Sequence, residues 1–139
     1  MGLVVLLSVA SVCISEASEV AIGGYSPVAY FTEGRALLGD VEFSVSHGGK
    51  TYFMRNAAEA ERFRADPDRY VPRYNVCPYS LAHGKQLPID PTNFRIVGGY
   101  LLLFHKSEMA DGLAAFKASG LTDDELIERA DKAFTLLRF

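Results

Sequence analysis

The chain contains no tryptophan, and no lysine or arginine before Arg35. Its two cysteines, Cys13 and Cys77, are too few for a disulfide framework or for a three- or four-cysteine zinc site. A formal charge of −3 without a basic cluster excludes a phosphate-neutralising surface, and with it nucleic acid as a partner. Beyond the first seventeen residues no apolar run is long enough to span a bilayer. What remains is a foldable composition: 49% hydrophobic and 22% charged residues over 139 positions, which excludes disorder and provides for one modest core.

The amino terminus is the most lopsided part. Gly2 to Ile14 is almost continuously apolar, and Ser15-Glu16-Ala17 places small residues around a cleavage point after Ala17. This is the outline of a signal peptide over residues 1–17, although the usual positive leading region is missing. Thirteen apolar residues are too few for a single-pass anchor. Val12 is too large for a lipoprotein signal that would acylate Cys13. The expectation is a secreted or periplasmic protein whose residues 18–139 form one domain. In such a compartment a lone thiol meets oxidants and scavenged metals rather than glutathione.

Local signals are densest from Ser44 to Ser80. Val41, Phe43 and Val45 alternate with polar residues, and Gly48-Gly49 fits a tight hairpin turn, so Thr51 to Met54 should return antiparallel. Asn56 and Glu59 have the spacing of a capping box, opening a helix with Ala57, Ala60, Phe63 and the Arg64 stem inward. Asp66-Pro67 starts another turn that returns Tyr70 to the core. Upstream, Glu19 to Ile22 reads as an edge strand, and Ser26-Pro27 caps a helical turn carrying Val28, Tyr30 and Phe31. Downstream, Tyr79 to Ala82 makes a turn stopped at Gly84, and Phe94 to Phe104 forms a second hairpin around Gly98-Gly99. Its strands are apolar enough for the middle of a sheet.

Two helices close the chain. Ser107 caps the first, with Met109, Leu113 and Phe116 inward and Gly120 as its stop. Thr122 and Glu125 form a capping box for the last, whose inner face is Leu126, Ala130, Ala133 and Leu137, widened by Phe134. The predicted fold class is α+β: a small antiparallel sheet built from two hairpins, covered by short helices, with two C-terminal helices.

Several spaced motifs occur here in a recognisable order. Gly49-Lys50-Thr51-Tyr52-Phe53, a helix ending Glu61-Arg62-Phe63, and Ala65-Asp66-Pro67-Asp68-Arg69-Tyr70 resemble the YHS domain family. Gly24-Tyr25-Ser26-Pro27-Val28-Ala29-Tyr30-Phe31 is similar to the opening of its secreted, stand-alone members, and Asp90 to Phe104 to their closing segment. The resemblance covers Gly24 to Phe104 and implies a role in metal handling. Many relatives carry paired cysteines at the strand-to-helix junction; the matching positions here are Arg55 and Glu59, which cannot serve as thiolates. Stand-alone members keep a cysteine segment matched here by Asn75-Val76-Cys77-Pro78-Tyr79.

Cys77 is therefore the centre of the chemical reading. A soft sulfur with imidazole company suits copper, zinc or another late transition metal. His83 lies six residues on, His47 sits at the first hairpin turn, and His105 follows the last strand. All three imidazoles flank strands, so convergence at one sheet end is open. The expected metal set is Cys77, His83 and His47, with His105 in reserve. Each also has a plain structural reading: Cys77 as a small buried hydrophobe, His47 as a solvated turn residue, His83 as the end of a helical turn. Of the seven tyrosines most should be core residues, while Tyr25, Tyr74 and Tyr79 could line a pocket by Cys77. The acidic run Asp123, Asp124, Glu125 and Glu128 fits the positive end of a helix macrodipole better than an acid/base pair. The leading reading is a non-catalytic domain binding a soft metal ion, copper favoured. The first alternative is a structural or interaction module serving a membrane or redox partner. A third is a thiol-dependent enzyme with Cys77 as nucleophile, which lacks a visible orienting residue.

Overall fold

A computed structural model describes residues 18–137, together with positions 2, 4 and 5. The expected signal peptide falls almost wholly outside the described residues. Among the described residues no helix is long and apolar enough to cross a membrane.

The fold is α+β, with two separate β elements rather than one sheet. Strands β1 (Glu19–Val20), β2 (Asp40–His47) and β3 (Lys50–Met54) form a three-stranded sheet in the order β1-β3-β2. The β2–β3 pair is antiparallel, as Gly48 and Gly49 allow by taking positive φ of 59° and 78°. β1 runs parallel to β3, so the sheet is mixed. A register shift between Asp40 and Ser44 breaks the alternation of β2. Val41 consequently points into solvent, while Phe43 and Val45 still pack inward.

Strands β4 (Phe94–Val97) and β5 (Tyr100–Leu103) make a hairpin of their own. Among the described residues, one isolated backbone bridge, Pro72 to Leu101, joins it to a neighbouring segment. Leu101, Leu102 and Leu103 are all buried, which is why β5 reads as a central strand. The burial comes from packing on both faces rather than from flanking strands. Leu101 and Leu103 meet Tyr30, whereas Leu102 meets Phe104, Phe116 and Leu126. An apolar run reports burial, not the kind of neighbour that supplies it.

Short helices cover these strands: α1 (Ala29–Thr32), α2 (Ala57–Ala65), α3 (Pro67–Tyr70), α4 (Pro78–Ala82), α5 (Gly112–Ala118) and α6 (Asp123–Leu136). Asn56 caps α2 by accepting from the Glu59 amide at 2.9 Å. The reciprocal half of the expected box is absent, because the Glu59 carboxylate turns to Arg55 and Ser26 instead. Ala57 and Arg64 are exposed, so Glu59, Ala60 and Phe63 form the buried side of α2. In α6 the box at Thr122 and Glu125 is complete, and Leu126 and Ala130 are buried, but Leu137 is half exposed.

The first C-terminal helix starts later than expected. Asp111, not Ser107, caps α5 by accepting from the Ala114 amide at 3.0 Å. Ser107 instead closes a turn in which its hydroxyl accepts from the Met109 and Ala110 amides. Met109 is thereby removed from the core and stands 97% exposed. At the other end of the chain, Ile22 takes left-handed φ and ψ of 47° and 40°, costly for a β-branched residue. Its side chain packs against both the Phe63 and the Tyr30 clusters, contacts that can offset such strain.

Candidate functional site

Cys77 is the residue that ends an extended segment and begins α4. Pro78 follows at the first helical position, where a missing N–H costs nothing. The return of the chain is tied by backbone and hydroxyl. The Cys77 amide donates to the Leu87 carbonyl at 2.9 Å, and Ser80 Oγ donates to the Cys77 carbonyl at 2.9 Å. Ser80 Oγ also accepts from the Leu87 amide at 3.3 Å. Ser80 is buried, and sequence reasoning passed over it because a serine in a one-turn helix carries no distinctive pattern.

Facing α4 is the segment that leaves β5. Buried Asn93 donates through Nδ2 to the His105 carbonyl at 3.2 Å and to Asp111 Oδ1 at 3.0 Å. The Gly112 amide donates to the same His105 carbonyl at 2.8 Å, closing a small loop over 105–112. Asp111 is held below the usual carboxylate range, first by the Ala114 amide and then by Asn93. Asp90, nearby, is likewise lowered, first by the Thr92 hydroxyl and then by the Thr92 amide, with Lys106 and His105 adding to the effect.

Between α4 and this loop opens a cleft of about 520 Å³, lined by Cys77, Tyr79, His83, Lys85, His105 and Met109 among others. Two of the four sequence-predicted donors, His83 and His105, stand at it with accessible rings. His83 Nδ1 lies 2.9 Å from the Tyr79 carbonyl, and its ring packs on Tyr79 with centroids 4.5 Å apart. His105 Nδ1 lies 2.8 Å from the Pro88 carbonyl. A carbonyl oxygen only accepts, so each Nδ1 must carry its proton. In the neutral rings that leaves Nε2 with a free lone pair, the arrangement that a carbonyl bonded to the other ring nitrogen imposes on metal-ligating histidines.

Cys77 borders the cleft but is fully buried, within a cluster holding Leu81, Phe104 and Phe116. Its sulfur lies against the Gly112 backbone so closely that a Cβ at that position would sit 2.7 Å from Sγ. Its placement is that of a small core hydrophobe. His47 is not brought to the cleft. Its Nε2 is 3.0 Å from Asp68 Oδ1, at the end of the β2–β3 hairpin, and its ring meets Phe63 edge-on. Among the described residues, no three histidine, cysteine, aspartate or glutamate side chains are placed to hold one ion. Of the three tyrosines read as pocket candidates, Tyr79 lines this cleft and Tyr74 a separate one of about 400 Å³.

The two positions at which the family resemblance would put paired cysteines hold an ion pair. Arg55 Nε and Nη2 lie 2.9 and 2.8 Å from Glu59 Oε2, while Ser26 Oγ donates to Oε1 at 2.8 Å. Burial alone would raise the Glu59 carboxyl; the Arg55 side chain and amide and the Ser26 hydroxyl outweigh it and hold it below the usual range. Among the described residues no buried side-chain nitrogen or oxygen lacks a hydrogen-bond partner. Comparison of the chain with protein-family models, with curated proteins and with solved structures finds no match.

Proposed function

We propose that this chain is a non-catalytic domain of the YHS-like kind, acting outside the cytoplasm, whose cleft takes a soft transition-metal ion, copper before zinc. The observation that carries the reading is the pair of imidazoles at one cleft, His83 and His105, each with Nδ1 committed to a carbonyl and Nε2 left free. Imidazole suits copper and zinc alike. The resemblance to a family associated with metal handling is what puts copper first. In this reading His83 and His105 are the donors, Cys77 lies behind them as packing, and His47 has no part. When bound, the ion would supply its own charge and ligand exchange; the protein's share is to orient two rings and surround them with apolar walls.

The test is an anaerobic titration of the purified protein with Cu(I) against a competing chelator. One-to-one uptake that falls in both His83→Gln and His105→Gln is the expected result. No uptake, or uptake indifferent to both substitutions, ends the reading. The second reading is an accessory module that docks a membrane or redox partner protein without metal. It is favoured by the apolar part of the lining, Tyr79, Leu87 and Ala115, and by the burial of Cys77. The thiol-enzyme reading has the least support, because the Cys77 sulfur is fully buried and packed against the Gly112 backbone.

A further inference from the structure

Resting on that reading of the cleft, we propose that the Met109 thioether is the third donor, making the site selective for Cu(I) over Zn(II). The two methionines within 18–137 have opposite fates. Met54 is fully buried in the core, whereas Met109 stands 97% exposed at the lip of the cleft that holds His83 and His105. A single exposed apolar side chain is ordinary. This one sits on a turn whose order is otherwise complete. Ser107 N donates to the Ala110 carbonyl at 2.7 Å, Ser107 Oγ accepts from the Met109 amide at 3.3 Å, and Lys106 bridges to Asp111. The turn thus holds a long apolar side chain in water at the rim of the cleft that His83 and His105 also line.

The donor inventory points the same way. Among the described residues no third histidine, cysteine, aspartate or glutamate is placed to join a pair of such ligands. The Cys77 sulfur is sealed against Gly112, and the Asp111 carboxylate is engaged by Asn93 and Ala114. The thioether is the remaining soft donor that the cleft offers, so it favours Cu(I) over the harder Zn(II). Lys85 on the same cleft adds a positive charge, which repels a dication more than a monocation.

The experiment compares wild type, Met109→Leu and His83→Gln in parallel anaerobic Cu(I) and Zn(II) titrations, with circular dichroism as a check on folding. Met109 touches no core, so the leucine variant should fold normally. Its Cu(I) affinity should fall by at least the roughly ten- to hundredfold that loss of a group merely hydrogen-bonded to a ligand already costs. Zn(II) affinity should stay the same. Unchanged Cu(I) binding in Met109→Leu, or an equal loss for both metals, overturns the inference. If that happens while His83→Gln abolishes uptake, the copper reading stands and only the thioether's role is lost. If wild type takes up no Cu(I), the reading of the cleft has failed, and the inference with it.

Discussion

Around Phe63 and Met54 the fold is fastened by charge: Glu59 joins Arg55, Ser26 and, through Arg55, Glu33. Around Cys77 and Phe104 the inner ties run through the neutral side chains of Ser80 and Asn93, the latter holding the Asp111 carboxylate, and the arginine clamp lies further out. There Arg73 grips Asp131 at 2.7 and 3.1 Å and stacks over the Tyr100 ring at 4.1 Å, holding α6 against the hairpin. The difference separates two uses of polar groups. A buried carboxylate needs its partners to itself, so the Glu59 network leaves nothing free for a ligand. Neutral amides and hydroxyls can brace a loop while its imidazoles keep an unshared nitrogen, and the cleft lies on that side of the molecule.

The sharpest way to break this contrast is Glu59→Ala. It removes the buried carboxylate on which Arg55 and Ser26 converge, leaves Arg55 only the exposed Glu33, and should cost about 2–3 kcal/mol in urea-induced unfolding. A loss under about 1 kcal/mol would mean the network is ornamental. The carboxylates of both regions predict an acid limit. The Glu59 and Asp131 carboxyls are both held below their ordinary values, so their contribution is complete above the unfolded-state range near pH 4 and vanishes as pH falls through the lower folded values. In Glu59→Gln the stability curve should therefore be flatter over that acid window.

Gly112→Ala tests the other side. The added Cβ collides with the Cys77 sulfur, and the expected cost is about 1–3 kcal/mol, as for other overpacked cores. Combining it with Cys77→Ala should recover part of that loss; strictly additive losses would show that the sulfur is not held against Gly112. The smallest effect is expected from His47→Ala. Its partner Asp68 is largely exposed, so stability should change by under about 1 kcal/mol and Cu(I) uptake should not change at all. A drop in uptake would return His47 to the donor set and dissolve the separation between the two regions.

Elements whose signals are local were legible. Both glycine hairpins, the Asn56 cap, the Asp66-Pro67 turn and the Thr122–Glu125 box are where their residues imply. What could not be read was anything settled by a distant neighbour. Ser107 and Asp111 are both competent caps in sequence. Asp111 starts α5 because Asn93 and the His105 carbonyl hold the chain there, and Met109 is exposed as a consequence. The site was half legible for the same reason. Of the expected set, Cys77 and His83 border one cleft, joined by the reserve His105 and not by His47, and the burial of the sulfur depends on Gly112, thirty-five positions away.

The chain by itself determined which residues turn, which begin helices, and which side chains have donor atoms to offer, because each of these depends on contacts within a few positions. The tertiary structure decided that the hairpins lie in separate β elements, that β5 is buried by clusters on either face, and that two histidines line one cleft while the third is held by Asp68. Those outcomes follow from packing between segments far apart in sequence, where the gain from excluding water outweighs any local preference.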